Sequence, residues 1–344
     1  MGAIPVDEHT GLVAKIPKVE LHLHVEGAIP LDTMLALIHR KEPTSSIRTT
    51  EDLQRWFTFT DFPHFLDLWR WKDTFITSER DFEDIAYQVL RDLHAQNVKY
   101  VEAHYAPGGY VEQGHSIRGI TEQLIAGKTR AYHDFGIRCE LIADLIRAHG
   151  PEKGLYYLDE VTPYLGQGVI AIGLGGPEHD FPPEPYQDVY HEARQRGFRL
   201  VAHAGEAAGA DSIRGALDHL GAERIGHGLR AFEDPELVTL LKERQIPLEM
   251  CVISNVKTGV CPSLADHPIR QYFDNGLLVT VNSDDPAMFQ TSINHEYEVL
   301  VRDFGFTMDE LQRINLNSIE ATFLSEEEKN DLRNMFYREW QNLI

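Results

Sequence analysis

The chain reads as an α/β protein, a (β/α)8 TIM-type barrel with extra lid helices after the first strand and closing helices at its C-terminal end. Three observations predict this. Eight apolar, strand-like runs alternate with helical segments along the 344 residues, and apolar strands interleaved with helices form parallel sheets. Together the units occupy about 250 residues, the size of one closed barrel. No Gly-x-Gly-x-x-Gly follows a strand, which argues against the runner-up, an open doubly wound sheet that binds a dinucleotide.

The first strand lies in Val19-Glu20-Leu21-His22-Leu23-His24-Val25-Glu26-Gly27, preceded by a polar leader over residues 1–14 that reads as loosely held. Strand side chains repeat their direction every two residues, so His22 and His24 point the same way. A helix is expected over 31–41, another from Thr50 with capping chemistry, and a third near Pro63. In the third, Phe62, Phe65, Leu66 and Trp69 share one face at i, i+3, i+4 and i+7. That face suits either core packing or an apolar lid over a flat ligand. Helices over 80–96, 117–135, 151–165, 185–196, 211–220, 234–244 and 267–274 then each lead into a strand, at 98–105, 138–145, 169–174, 198–203, 224–227, 247–251 and 277–282. Residues 291–344 read as closing helices. No low-complexity linker or short repeat interrupts the chain, so residues 1–344 are expected to form one domain.

A formal net charge of -22 argues against nucleic acid or an anionic membrane as partner. Cys139, Cys251 and Cys261 make no disulfide framework. No signal-peptide pattern and no apolar run near the length of a membrane span is visible, so a cytoplasmic protein is expected. The oligomeric state stays open.

Barrel enzymes carry their chemistry at the C-terminal ends of the strands. Those ends hold His22, His24 and Glu26; Gly175-Gly176-Pro177-Glu178; His203 and Glu206; His227; Ser254 and Asn255; and Asp284-Asp285 before Pro286. Random placement of 17 histidines would rarely put four at these ends. Imidazole plus carboxylate suits a divalent transition metal, zinc above all, and the scarcity of cysteine suits a catalytic site. Such a site acidifies a bound water toward a pKa of ~7. Each residue also has a plainer reading. Glu206 could only support His203. His227 could be a fifth ligand or a structural histidine. Asp285 could brace the turn before Pro286, and Gly175-Gly176 could be an ordinary turn. Glu178 reads as a solvated loop acid, Ser254 and Asn255 as structural hydrogen-bonding groups, and His104 and His179 as ordinary histidines.

Lys18-Val19-Glu20-Leu21-His22-Leu23-His24, His203-Ala204-Gly205-Glu206, Arg224-Ile225-Gly226-His227-Gly228 and Asn282-Ser283-Asp284-Asp285-Pro286 resemble the signatures of the adenosine deaminase family, in the metal-dependent amidohydrolase superfamily. The resemblance runs from about residue 15 to the end. It implies one zinc per subunit on His22, His24, His203 and Asp284. It further implies that Glu206 gives a proton to N1 of a purine, that His227 orients or deprotonates the attacking water, that Asp285 accepts a hydrogen bond involving N7, and that the Gly176 amide serves N3. Phe62, Phe65, Leu66 and Trp69 match the family's apolar gate. Such an enzyme converts adenosine to inosine and ammonia.

One position departs from the best-known adenosine deaminases: Glu26 stands where they carry an aspartate that contacts the ribose end. Related adenine deaminases also carry glutamate there, but tend to place Ser-Ser-Glu after strand four, where this chain has Gly175-Gly176-Pro177-Glu178. Adenosine is therefore the expected substrate, with aminodeoxyfutalosine and then adenine as alternatives. A cytidine-deaminase-like fold would need Pro-Cys-x-x-Cys, which is absent. A two-metal barrel bridged by a carboxylated lysine would need a lysine at the strand-four end, and none is there. A non-enzymatic relative would be expected to lose Glu206 or Asp285.

Overall fold

The computed structural model describes residues 11–343. The eight apolar runs are strands: β1 (Lys18–His24), β2 (Val98–Tyr105), β3 (Arg138–Ile146), β4 (Val169–Gly175), β5 (Arg199–Ala204), β6 (Arg224–His227), β7 (Leu248–Met250) and β8 (Val279–Val281). They pair in chain order, every pair parallel. The last strand returns to the first at the barrel mouth. There the His24 amide donates to the Asp284 carbonyl (3.0 Å), the Asp284 amide donates to the His22 carbonyl (3.0 Å), and the Leu21 amide donates to Asn282 Oδ1 (3.0 Å).

Helices α1 (Leu31–Lys41), α2 (Thr50–Trp56) and α3 (Phe62–Asp73) precede the crossover helix α4 (Asp81–Ala95). In α3 the Asp61 side chain caps the His64 amide (2.9 Å) and proline occupies the first turn, which starts the helix where the sequence suggests. The remaining crossovers are α5 (Ile117–Phe135), α6 (Pro151–Val161), α7 (Gln187–Arg196), α8 (Ala210–Gly215), α9 (Pro235–Arg244), α10 (Val252–Lys257) and α11 (Ile269–Asp274). After β8 come α12 (Pro286–Phe289), α13 (Ile293–Phe304), α14 (Met308–Ala321) and α15 (Glu326–Gln341). None of the described helices is long and apolar enough to cross a membrane.

Four expectations are corrected. The helix expected over 151–165 ends at Val161 and tightens into a 3-10 turn at Thr162–Tyr164, because Pro163 removes an amide from the ladder. The helix over 211–220 starts at Ala210 and widens into a π turn, Ala216–Leu220, before Gly221 in the left-handed region. Ser254 and Asn255 sit on α10, not on a strand end. The leader is not loosely held throughout. Residues 1–10 lie outside the described residues, but Val13 and Ile16 are fully buried. The Lys18 ammonium donates to the carbonyls of Val13 (2.8 Å), Ile16 (2.9 Å) and Gln96 (3.1 Å), clamping residues 13–16 to the base of β1.

Candidate active site

Three histidines at the barrel mouth have one ring nitrogen already engaged, which leaves the other for a shared centre. His22 Nδ1 meets Glu249 Oε2 at 2.9 Å and His203 Nδ1 donates to the Leu174 carbonyl at 3.1 Å, while His24 Nδ1 faces Asp144 Oδ2 at 3.5 Å. The three Nε2 atoms then converge. His24 Nε2 and His203 Nε2 are 3.1 Å apart, and Asp284 Oδ1 lies 3.4 Å from His24 Nε2 and 3.6 Å from His22 Nε2. His22 Nε2 is buried without a hydrogen-bond partner. Four ligands around a tetrahedral zinc, each about 2.0–2.1 Å from it, stand about 3.3–3.4 Å from one another. The separations of His24 from His203 and of Asp284 from His24 and His22 are of that size, and the three histidines offer nitrogens within 4.8 Å of one another, so these residues could hold a divalent ion. Cys251 also approaches His22, His227 and Asp284. Its thiol, however, donates to the Glu249 carbonyl (3.4 Å), and burial holds it well above the usual thiol range, so it is a poor ligand.

Charge is arranged around this cluster to suit a cation. Against the cost of burial, Asp284 and Glu249 push the His22 imidazole up to about 10, and Glu249 is held down to about 2 by Arg224 and His22. Arg224 joins Glu249 (2.6 Å) to Glu102, all three fully buried behind His22. Burial lowers His24 to about 4 and drives His203 well below the ordinary histidine value. Neutral imidazole is the form that binds metal. Asp284, despite burial, stays ionised because His22 and His227 lie against it, and Ser254 Oγ donates to its Oδ2 at 2.6 Å.

Glu206 lies across the mouth, with Oε2 3.6 Å from His227 Nε2. Burial, then Asp284 and Glu178, raise its carboxyl well above the usual range, which favours the protonated form. Its turn is held by Glu178, which is buried and accepts the amides of Gly205 (2.5 Å), Glu206 (3.0 Å), Ala207 (2.8 Å) and Ala208 (3.0 Å). The reading of Glu178 as a solvated acid is thereby corrected.

A hydrogen-bond chain assigns the tautomer of His227. The Ile269 amide donates to His267 Nδ1 (3.3 Å), so His267 Nε2 donates to Asn255 Oδ1 (3.1 Å) and Asn255 Nδ2 donates to His227 Nδ1 (3.0 Å). The neutral His227 ring, whose pKa burial lowers to about 3, then presents an N–H at Nε2, with Asp284 Oδ2 3.9 Å away. Both His227 (φ 61°) and Asp284 (φ 61°) are in the left-handed region, a strain that marks functional positions.

Asp285 is buried with Oδ1 unpartnered, and its carboxyl is raised by burial and by Asp284. A Cβ on Gly27 would stand 1.6 Å from that Oδ1, so only glycine fits there. Gly176 turns at φ 98°, and a Cβ there would meet nothing nearer than 3.7 Å. Glu26 is buried; its Oε1 accepts the Ala106 amide at 2.8 Å and its Oε2 is free. On the lid, Trp69 stands edge-on to His24 (5.6 Å between ring centroids), and Phe65 packs on Phe289 (5.0 Å). Phe62 and Leu66 are half-buried beside them.

Two residues that sequence reasoning passed over belong to the site. His104, set aside as ordinary, is fully buried, 5.1 Å from the His24 ring, and meets Asp144 Oδ1 at 2.9 Å. Their strand-end positions on β2 and β3 were the available signal. His179 is exposed and outside the cluster.

The family model for adenosine deaminase matches residues 17–339. An adenosine deaminase of Clostridium kluyveri is 31% identical over 96% of this chain and 94% of its own length, and an adenine deaminase of Crocosphaera subtropica is 36% identical over 93% and 98%. A crystal structure of an amidohydrolase from Burkholderia ambifaria with bound zinc superposes with a TM-score of 0.90 at 29% identity, covering 100% of this chain and 95% of that one.

Proposed function

Because the chain belongs to the adenosine deaminase family of hydrolytic deaminases, we propose that it replaces the 6-amino group of a purine nucleoside by oxygen, adenosine being the substrate, with one zinc held by His22, His24, His203 and Asp284. The observation that carries the chemistry is the gathering of three histidine nitrogens and one carboxylate, with His24–His203, His24–Asp284 and His22–Asp284 at 3.1–3.6 Å, across from a buried Glu206 whose carboxyl is raised. The metal, when bound, supplies a water acidified enough to act as nucleophile at neutral pH.

The chain's own residues do the rest. His227 Nε2–H donates to the attacking oxygen and orients it; on the tautomer assigned by Asn255 it does not take the proton. As that oxygen bonds to C6, electrons move onto N1, and Glu206 gives its proton there. One water proton restores Glu206, the other leaves on the amino group, and the C6–N bond breaks to release ammonia. Asp285 and the Gly176 amide fix the ring at N7 and N3, while Trp69, Phe65, Phe62 and Leu66 cover it and exclude water.

The nucleoside reading rests on Gly175-Gly176, which add no side chain of their own where related adenine deaminases tend to carry serines. Adenine is the second reading, favoured by Glu26 and supported by the name of the Crocosphaera relative. Comparing kcat/KM for adenosine, adenine and aminodeoxyfutalosine tests the choice: adenosine is expected to lead, and a preference for adenine overturns it.

A further inference from the structure

Three buried side chains lead from the mouth of the barrel to its outer layer of helices. His227 ends β6, Asn255 lies on α10 beyond β7, and His267 sits on the turn into α11; they are 1%, 0% and 4% exposed. The direction of this chain is set at its outer end. The Ile269 backbone amide can only donate, and it donates to His267 Nδ1 (3.3 Å). Burial lowers His267 to about 3, so the ring is neutral and its one proton sits on Nε2. That nitrogen donates to Asn255 Oδ1 (3.1 Å), which turns Asn255 Nδ2 toward His227 Nδ1 (3.0 Å).

An asparagine amide fits its slot in two orientations, a half turn apart, that exchange oxygen for nitrogen. With its oxygen toward His227, Nδ1 would carry the ring proton. Nε2 would then present a lone pair to Glu206 Oε2 (3.6 Å) and Asp284 Oδ2 (3.9 Å). With its nitrogen toward His227, Nε2 presents a proton. His267 decides between the two, because the first would set Asn255 Nδ2 against His267 Nε2–H, donor against donor, away from water. The His267 ring is itself kept in place by the Ile269 amide and by Phe304, whose ring centre lies 6.1 Å away.

We propose that His267 is a positioning residue for the deamination: acting through Asn255, it fixes the proton of His227 on Nε2, where the attacking oxygen needs a donor. This rests on the deaminase reading of the same site. Without the His267 donor, the Asn255 amide is free to turn over and the His227 proton is free to move to Nδ1.

The test compares full-length wild type, H267L and H267Q, each labelled with nitrogen-15 histidine and assayed for bound metal. Two-bond proton–nitrogen spectra distinguish the two neutral tautomers, and the His227 signals are those lost in H227Q. Wild type should show His227 protonated at Nε2. H267L should shift the proton to Nδ1 or to a mixture, and lower kcat tenfold or more for the purine that wild type turns over fastest, with KM within threefold and the metal retained. H267Q keeps an N–H donor on a similar reach and should restore the Nε2 tautomer and most of kcat. Should leucine unfold the chain, H267F takes its place. A wild-type Nδ1 tautomer overturns the proposal, as does an unchanged tautomer in H267L, a kcat loss that only follows lost metal, or an H267Q no better than H267L. If wild type deaminates no purine, the deaminase reading falls, and the spectra alone uphold or overturn the hold of His267 on the His227 proton.

Discussion

At the scale of single residues, the proposed chemistry needs two acid–base groups in opposite states, and Glu206 Oε2 and His227 Nε2 stand 3.6 Å apart. Burial and the Asp284 charge raise the Glu206 carboxyl, and the Asn255 amide holds the neutral His227 ring with its proton facing inward. Glu206→Gln keeps the shape and removes the proton. It is expected to retain the metal, measured by atomic absorption, while kcat falls by about 10²–10⁴-fold, the usual worth of a general acid. Normal turnover in that variant contradicts the proton-donor role. The gathering of His22, His24, His203 and Asp284 at one mouth was legible in the sequence because a barrel brings its strand ends together. His104 and Asp144 were not, because a lone histidine beneath a ligand looks in sequence like any buried histidine.

At the scale of elements, a single carboxylate shapes the loop after β5. Glu178 accepts four consecutive amides and so fixes where Glu206 points. Glu178→Gln loses part of this acceptor capacity and all of the charge. We expect a stability loss of about 2–3 kcal/mol, the scale of hydrogen bonds to charged groups, read by chemical denaturation, together with a lower kcat. An unchanged denaturation midpoint contradicts the latch. Glutamate three residues beyond a strand, in a Gly-Pro stretch, gives no sequence sign of burial, which is why Glu178 read as a surface acid. The helices were more legible. Asp61, Thr307 and Ser325 accept the amides of His64, Glu310 and Glu328 as the capping patterns require. Of the turns that departed from expectation, the one after Val161 did so where a proline removed an amide from the ladder.

At the scale of the whole molecule, buried acids tie stability to pH. Burial raises both Glu20 and Glu296 from 4.5 to about 8, so between those values the folded chain holds more protons than the unfolded one. Their contribution is complete below the lower value and is lost as pH rises through 8. Lys18, lowered to about 7 by burial, acts in the opposite sense, so the difference between variants is the clean readout. Relative to wild type, Glu296→Gln should gain in Tm as pH goes from 5 to 9. A constant offset across that range contradicts the assignment.

The place where the last strand rejoins the first has a consequence for how the fold is kept shut. Only a few backbone bonds join β8 to β1, and two of them flank His22, His24 and Asp284. An ion shared by these three side chains is therefore a rivet through the seam, drawing the two ends of the sequence together. Stripping it with a chelator should lower Tm and speed amide exchange first at His24 and Asp284, leaving the β2–β3 ladder protected; uniform loosening of all eight strands would mean that the ion is a passenger in an already fastened ring.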